Sequence, residues 1–392
     1  MIKLIFVMPS LRIGGIEQSL INLLNRMDLN KYSVALKLFH CNTEYSKQLD
    51  DRIELIDSSF LLDILSMTLS EAKRENKIKY LLRGMLSLLC MIFGSNFVYS
   101  IAFLFEKKTK FYDVAISYSN NITTRGTYFG ANKYVIKKCV SKKKITWLHV
   151  DYEAQDMNCK INNNEYKKFD HVVAVSKAGK SAFLKYVPGC RNKTSVIYNI
   201  ISNGVESGAC FTDERLHWGG RNIITVGRID SNKNQLMAVK VAAILKKGKV
   251  SFKWWLVGDG QMREEVEEAI KMNGLIDDVI ITGYIPLIQN SLDKFDIFVS
   301  TSKSESYCMA IAEALNAGIP TVALWYPELD EMVLDGKNGY VAKDEKGMSD
   351  IIKQLIMDEN FYEAAKKRTK CIVSNESIIK EFDDLIRDCV NY

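Results

Sequence analysis

The chain has only four histidines, and its nine cysteines are odd in number and scattered, with no CxxC pair among them. This scarcity argues against a disulfide framework and a structural zinc site, and it fits a reducing cytosol. No low-complexity tract, evident repeat or heptad seam is present, which excludes fibrous and solenoid architectures. The first residues, MIKLIFVMPS, lack the long apolar region and small-residue cleavage site of a secretory leader. They run straight into a Pro-Ser-Leu-Arg-Ile-Gly-Gly loop and read as a first buried strand. No nucleic-acid-binding motif accompanies the many lysines, so nucleic acid is not an expected partner.

What is present is 392 residues, 47% hydrophobic and 26% charged, the composition of a soluble globular protein. At roughly 100 to 200 residues per domain, the length predicts two domains, and a cleft between two cores is the first place to look for chemistry. The net charge of +6 is modest but unevenly placed. Lys73, Arg74, Lys77, Lys79, Arg83, Lys107, Lys108 and Lys110 bracket an apolar stretch, and Lys133 to Lys144 follow in the same half. This pattern fits an anionic membrane surface or polyanionic acceptor, and equally a solvated lysine-rich face. The stretch from Gly84 to Phe105 is free of charge and long enough to span a bilayer. Gly94-Ser95-Asn96 interrupts it, however, and strand-like runs of one sheet lie on both sides. Two apolar helices at the domain surface are therefore expected, with peripheral membrane contact through 73–110.

Short runs rich in Val, Ile, Leu and Phe alternate with helical patterns, which predicts an α/β fold of two doubly wound parallel sheets. Strands are expected near 2–7, 34–39, 53–56, 114–118, 145–149, 171–175 and 195–198. A second set is expected near 222–226, 253–257, 279–282, 296–300, 320–324 and 339–342. The glycine-bearing stretch between them, with Gly204, Gly208, Gly219 and Gly220, is the linker candidate. The expected domains are 1–200 and 201–375, followed by a terminal helix within 376–392.

In doubly wound sheets, ligands sit where strand ends pass into helices. Gly14 and Gly15 follow the first strand and precede an amphipathic helix, where open amides can meet an anion. The spacing is not GxGxxG and argues against a nicotinamide dehydrogenase. After the strand 222–226 comes VGRIDSNKNQ, in which Arg228 and Lys233 suit a diphosphate and Asn232 or Asn234 is a candidate helix cap. The turns at Asp259-Gly260 and Tyr284-Pro286 are candidate backbone contacts to a flat ring, or simple loops.

After the strand 296–300 comes SKSESYCMAIAEALNAGIP, with a helix expected from Tyr307 or Cys308 to the Gly318 C-cap. Glu305 then stands before its first turn and Glu313 in its second, both able to face a ligand over the helix start. A carboxylate can accept hydrogen bonds from two adjacent sugar hydroxyls. An N-terminal dipole partner is an adequate account of Glu305 but not of Glu313, which is set among Ala, Ile and Leu. Counted as charges, a nucleotide diphosphate ester and two glutamates supply about four negatives. Arg228, Lys233 and the helix start return about two and a half.

Taken together, the two glutamates eight apart, VGRIDSNKNQ, LVGDG, PSLRIGGIEQ and AVSKAGKSAF resemble the retaining glycosyltransferases of family 4, which have the two-domain GT-B fold. The resemblance implies transfer of a sugar from a nucleotide sugar to an acceptor hydroxyl, with no metal and no cofactor. It implies that Glu313 holds the ribose hydroxyls, that Glu305 contacts the donor sugar, and that Arg228 and Lys233 neutralise the leaving diphosphate. It further implies that the amides of Cys308, Met309, Ala310, Gly14 and Gly15 approach the donor, that His149 lies near the reaction centre, and that the last helix returns to the N-terminal domain. The family's usual Glu-Gly-Phe-Gly is replaced here by Glu305-Ser306-Tyr307-Cys308, which narrows the backbone freedom beside the sugar.

The expected function is thus transfer from a nucleotide sugar, with UDP favoured, to a glycan or lipid-linked glycan in cell-surface polysaccharide synthesis. The expected location is the cytoplasm, at the inner membrane face. Asp151-Tyr152-Glu153 is the nearest imitation of a metal-binding Asp-x-Asp and is read as part of an acceptor-side loop. A sugar-nucleotide 2-epimerase of similar fold, or a nucleotide- or glycan-binding partner with weak turnover, is the alternative.

Overall fold

The computed structural model of the protein describes residues 1–12, 14–41, 48–120, 130–150, 152, 157–202 and 211–391. The chain divides into unit 1, Met1–Ile200 with Asn375–Tyr392, and unit 2, Ile201–Ser374. Gly204 and Gly208 of the linker candidate lie outside the described residues.

Unit 1 contains strands β1 (Ile2–Met8), β2 (Tyr32–Leu38), β3 (Glu54–Ile56), β4 (Phe111–Ser117), β5 (Val140–Leu148), β6 (His171–Ala174) and β7 (Thr194–Val196). Its helices are α1 (Gly15–Arg26), α2 (Phe60–Ser66), α3 (Leu69–Glu75), α4 (Lys77–Phe93), α5 (Ser95–Ala102), α6 (Ala131–Lys137), α7 (Lys160–Tyr166) and α8 (Lys177–Tyr186). All strand pairs are parallel, in the order β3-β2-β1-β4-β5-β6-β7. The near-continuous apolar runs follow from burial on both faces, and Leu4 to Val7 of β1 are wholly buried.

The apolar stretch after β3 is broken where expected. Gly94, at φ +82°, ends α4 and begins α5, a left-handed backbone that glycine adopts without steric cost. Among the described residues no helix is long and apolar enough to cross a membrane.

Unit 2 contains β8 (Asn222–Val226), β9 (Lys253–Val257), β10 (Val279–Gly283), β11 (Ile297–Ser300), β12 (Thr321–Leu324) and β13 (Tyr340–Ala342). Its helices are α9 (Gln235–Lys247), α10 (Arg263–Met272), α11 (Met309–Asn316), α12 (Glu345–Met357) and α13 (Glu359–Arg368). The parallel order is β10-β9-β8-β11-β12-β13. Neighbouring residues divide between the two faces: Ile223 and Trp254 join one core, Ile224 and Trp255 the other. Both indoles donate inside the core, Trp254 to Thr225 Oγ1 at 3.0 Å and Trp255 to Asn222 Oδ1 at 3.1 Å, so neither buried N–H is left unpaired.

The last helix, α14 (Asn375–Asn391), belongs to unit 1. Ile378, Phe382 and Ile386 recur every four residues and are buried, and Phe382 stacks on Phe6 at 6.4 Å. Tyr32 donates to Asp383 at 2.9 Å.

Candidate functional site

In each sheet the strand order reverses its direction of growth next to the first strand, between β1 and β4 and between β8 and β11. Loops leaving the carboxyl ends of such a pair part company and leave a crevice. In unit 2 these loops are the VGRIDSNKNQ loop and the stretch carrying the two glutamates.

The first loop is shaped by Asp230. Its Oδ1 accepts from the amides of Asn232 at 3.0 Å and Lys233 at 2.8 Å, and its Oδ2 accepts from Arg228 Nε at 2.9 Å. Burial would raise its pKa, but these donors outweigh it and hold the carboxyl below its ordinary value. LVGDG supports this loop from behind. A Cβ on Gly258, at φ +146°, would lie 2.0 Å from the Gly227 carbonyl oxygen, so only glycine lets the two backbones touch. The Asp259 carboxylate accepts from the Gly260 amide and from Arg263.

Neither asparagine caps α9. Asn232 donates its side-chain amide to the Ser304 carbonyl at 2.8 Å, and Asn234 is left-handed at φ +56° with no capping bond. The physical reason is a competing partner: Asn232 joins the two site loops instead. Lys303 N donates to the Asn232 carbonyl at 2.9 Å and Thr301 Oγ1 to the Lys233 carbonyl at 2.8 Å, completing the join.

Across this join Lys233 Nζ meets Glu305 Oε1 at 2.5 Å, with only 23% and 17% of the two side chains exposed. Burial would lower the lysine's pKa, yet Cys308 and Glu305 beside it raise it above the ordinary value, so it stays charged. Arg228 differs: its side chain is 77% exposed and, among the described residues, engages only Asp230, through Nε.

The helix α11 opens shortly after Glu305. Cys308 is its N-cap residue, no side chain caps it, and Met309 and Ala310 are its first two residues. Their amides have no intrahelical partner and carry the positive end of the helix dipole. Gly318, at φ +72°, closes the helix. Glu313 sits in the second turn, and here the charge count requires correction. Burial pushes its carboxyl up to about 8, which Lys233 only partly offsets. Near neutral pH Glu313 is therefore shifted towards its protonated form.

Tyr326, which motif reading did not single out, follows β12, the strand beside β11. It is 1% exposed, its hydroxyl has no partner among the described residues, and burial together with Cys308, Glu305 and Glu328 raises its pKa far above the ordinary value. The strand-end rule, applied to β12 as to its neighbours, points to this loop. Cys308 is buried, and burial pushes its thiol up to about 11, so it is an unreactive thiol.

Gly14, Gly15 and His149 belong to unit 1. Gly14 is the N-cap residue of α1, with no side-chain cap, and its φ of −178° is one that any residue adopts. His149 follows β5, and its amide donates to Asn120 Oδ1 at 2.9 Å. Its ring lies 4.6 Å from Tyr118, the residue is 5% exposed, and among the described residues neither ring nitrogen has a partner. Burial pushes its pKa down to about 3, so the imidazole is neutral. Asp151 and Glu153 lie outside the described residues.

This site geometry sits inside a segment that matches a known family model. Residues 214–371 fit the model described as glycosyl transferases group 1. Unit 2 is a glycosyl transferases group 1 domain. The group 1 domain accounts for the motifs of VGRIDSNKNQ, LVGDG and the paired glutamates, which all lie within it. Among curated proteins, Bacillus subtilis EpsF is 33% identical over 97 residues, 25% of each chain. The poly(ribitol-phosphate) α-N-acetylglucosaminyltransferase of Staphylococcus aureus is 27% identical over 168 residues, 41% of this chain and 34% of that protein. The chain thus spans a quarter of the length of the first of these relatives and about a third of the second. A Campylobacter jejuni α-1,4-N-acetyl-D-galactosaminyltransferase, named for an undecaprenol-diphosphate-linked glycan, is 22% identical over 94% of both chains. Among solved structures, Anabaena HepE in complex with UDP and glucose superposes with a TM-score of 0.69. It shares 17% identity over 99% of this chain and 100% of that one. The fold class is the one expected, two parallel-sheet α/β units of the GT-B type.

Proposed function

We propose that the chain is a retaining, metal-independent glycosyltransferase that moves a sugar from a UDP-linked donor to a hydroxyl of a glycan or lipid-linked glycan, in cell-surface polysaccharide synthesis. The reading rests chiefly on one observation: the half-buried Lys233–Glu305 pair lies just before the uncapped start of α11, where Lys233 acts electrostatically on Cys308 and Glu313. The names of the relatives, which include glycan and polyol-phosphate acceptors, support it, as does the UDP named in the HepE complex.

The proposed chemistry follows from the charges. An arriving diphosphate competes with Glu305 for Lys233 and brings Arg228, whose terminal nitrogens are uncommitted, into a fork around its oxygens. Lys233, Arg228 and the amides of Met309 and Ala310 then lie where negative charge grows as the bond from the sugar to the diphosphate breaks. Glu305, released from the lysine, accepts from donor-sugar hydroxyls. Glu313 loses its proton and accepts from the ribose hydroxyls. In unit 1, neutral His149 can offer one ring N–H and one acceptor, and the amides of Gly14 and Gly15 are further donors. Neither Ser306 nor Cys308 takes a positive φ, so the helix start is built without the family's glycines, and donor choice is assigned to this stretch.

The test is UDP release from a panel of UDP-sugars with polyprenyl-diphosphate glycans as acceptors, with and without EDTA, and NMR of the product's anomeric configuration. The reading predicts release that survives EDTA and a retained configuration. Inversion, or abolition by EDTA, overturns the corresponding part of it.

A further inference from the structure

The helix α4 is apolar on two sides. Leu86 and Cys90 join the core of unit 1, and Leu82 and Leu89 pack against it. On the outer side Ile78, Leu81, Met85, Leu88 and Ile92 fall at alternating spacings of three and four, forming a second stripe that covers nothing. These five are 51 to 70% exposed. The surface continues past Gly94: Phe93 meets Phe97 at 5.8 Å, and Phe97, Leu104 and Phe105 are 53 to 77% exposed. A soluble protein seldom leaves so many large apolar side chains in one stretch without something that covers them. The stripe is too short for a coiled-coil seam.

Charge identifies the cover. Lys73, Arg74 and Lys77 are exposed at one end of the stretch and Lys107 and Lys108 at the other, and none of them is in an ion pair among the described residues. Lys110 pairs with Glu54 at 2.5 Å, and Lys79 pairs with Glu75. Between 73 and 110 the only carboxylates are Glu75 and Glu106, and Glu106 is buried on Lys37. A second copy seated on this face by a two-fold axis would set like charge against like charge, whether the helices ran parallel or antiparallel. An anionic bilayer accepts both features: the apolar stripe enters the boundary of the acyl chains while the flanking cations meet the headgroups.

We propose that the outer face of α4 and α5 seats unit 1 on an anionic lipid surface, as an interfacial helix pair that lies in the membrane plane and does not span it. This proposal is independent of the group-transfer reading, since it concerns neither the β8 nor the β11 loop. For a glycosyltransferase with a lipid-linked acceptor, the contact would confine the enzyme to the plane in which that acceptor diffuses.

The experiment is co-sedimentation of the full chain with vesicles of phosphatidylcholine alone and of phosphatidylcholine with phosphatidylglycerol, at low and high salt. Binding is expected only with the anionic lipid and should weaken with salt. Leu81→Glu with Leu88→Glu should abolish it. Lys73→Gln, Arg74→Gln and Lys77→Gln together should weaken it by about a hundredfold, at about fivefold per charge. The charge variants alter only exposed side chains, and circular dichroism with UDP titration checks that both variants stay folded. Equal binding to neutral vesicles, or no binding to either, overturns the proposal. So does a dimer in sedimentation velocity that Leu88→Glu dissolves while vesicles remain unbound, which would make this face an interface between copies.

Discussion

The two units share a topology and differ in what they place at the reversal of strand order. In unit 2 that position holds a lysine and a glutamate in contact and an acid that burial pushes towards its neutral form, and the next strand, β12, leads to a tyrosine hydroxyl with no partner among the described residues. In unit 1 the loop after β1 holds Gly14, Gly15 and an Arg12 bound to Glu71, and the neighbouring strand β5 ends in a neutral histidine whose two ring nitrogens have no partner among the described residues. The difference teaches that the fold supplies only the crevice. Side chains decide what each crevice presents: in unit 2 a lysine and a glutamate in contact, in unit 1 open glycine amides beside an arginine already bound to a glutamate.

The comparison is broken most directly at Lys233. Lys233→Ala should lower turnover by about two to three orders of magnitude, the scale of a lost donor to developing charge. It should also cost about 1–3 kcal/mol of stability, because Glu305 loses its partner while half-buried. Glu305→Gln combined with Lys233→Ala should recover part of the stability but none of the turnover, as read by thermal melts beside steady-state rates.

Glu313 sharpens the comparison through pH. Its folded pKa of about 8 lies above the ordinary carboxyl value, so folding favours the protonated form. That contribution is complete below the ordinary range and is lost as pH rises through about 8. Glu313→Gln removes this dependence, so its melting temperature relative to wild type should climb as pH increases. UDP affinity, which requires the ionised form, should fall in wild type as pH drops below about 8 and stay flat in the variant. A parallel pair of profiles would refute the assignment.

A smaller effect is expected in unit 1. His149→Ala should lower turnover by about tenfold to a hundredfold. Because burial keeps the ring neutral, the wild-type rate should show no titration assignable to His149 near pH 6.5, and an inflection there that the variant removes would contradict the account. Smaller still, Tyr326→Phe should leave stability unchanged or slightly raised, since the hydroxyl is buried without a partner. If that hydroxyl meets the donor, the variant should raise KM for the nucleotide sugar severalfold.

Much of this was legible from residue order alone. Thirteen short apolar runs correspond to the thirteen strands of the described residues, most of them apolar because a strand buried on both faces must be so; β3 and the start of β5 are more exposed. The start of α11 at Cys308 and its close at Gly318 also followed from local rules. What was not legible depends on groups distant in sequence. Asn232 and Asn234 look like caps until Ser304 takes the first and a left-handed backbone disqualifies the second. Glu313 looks like a charge until its burial is known, and Tyr326 looks like core until its hydroxyl is found without a partner.

The central claim is that the reversal between β8 and β11 holds a nucleotide diphosphate. It is tested most directly by calorimetric titration of UDP into wild type, Glu313→Ala and Lys233→Ala at about pH 8, with melts to confirm folding. Wild type should bind, and each variant should bind at least about tenfold more weakly, the loss of one good hydrogen bond to a charged group. Undiminished binding by folded Glu313→Ala and Lys233→Ala would contradict the account.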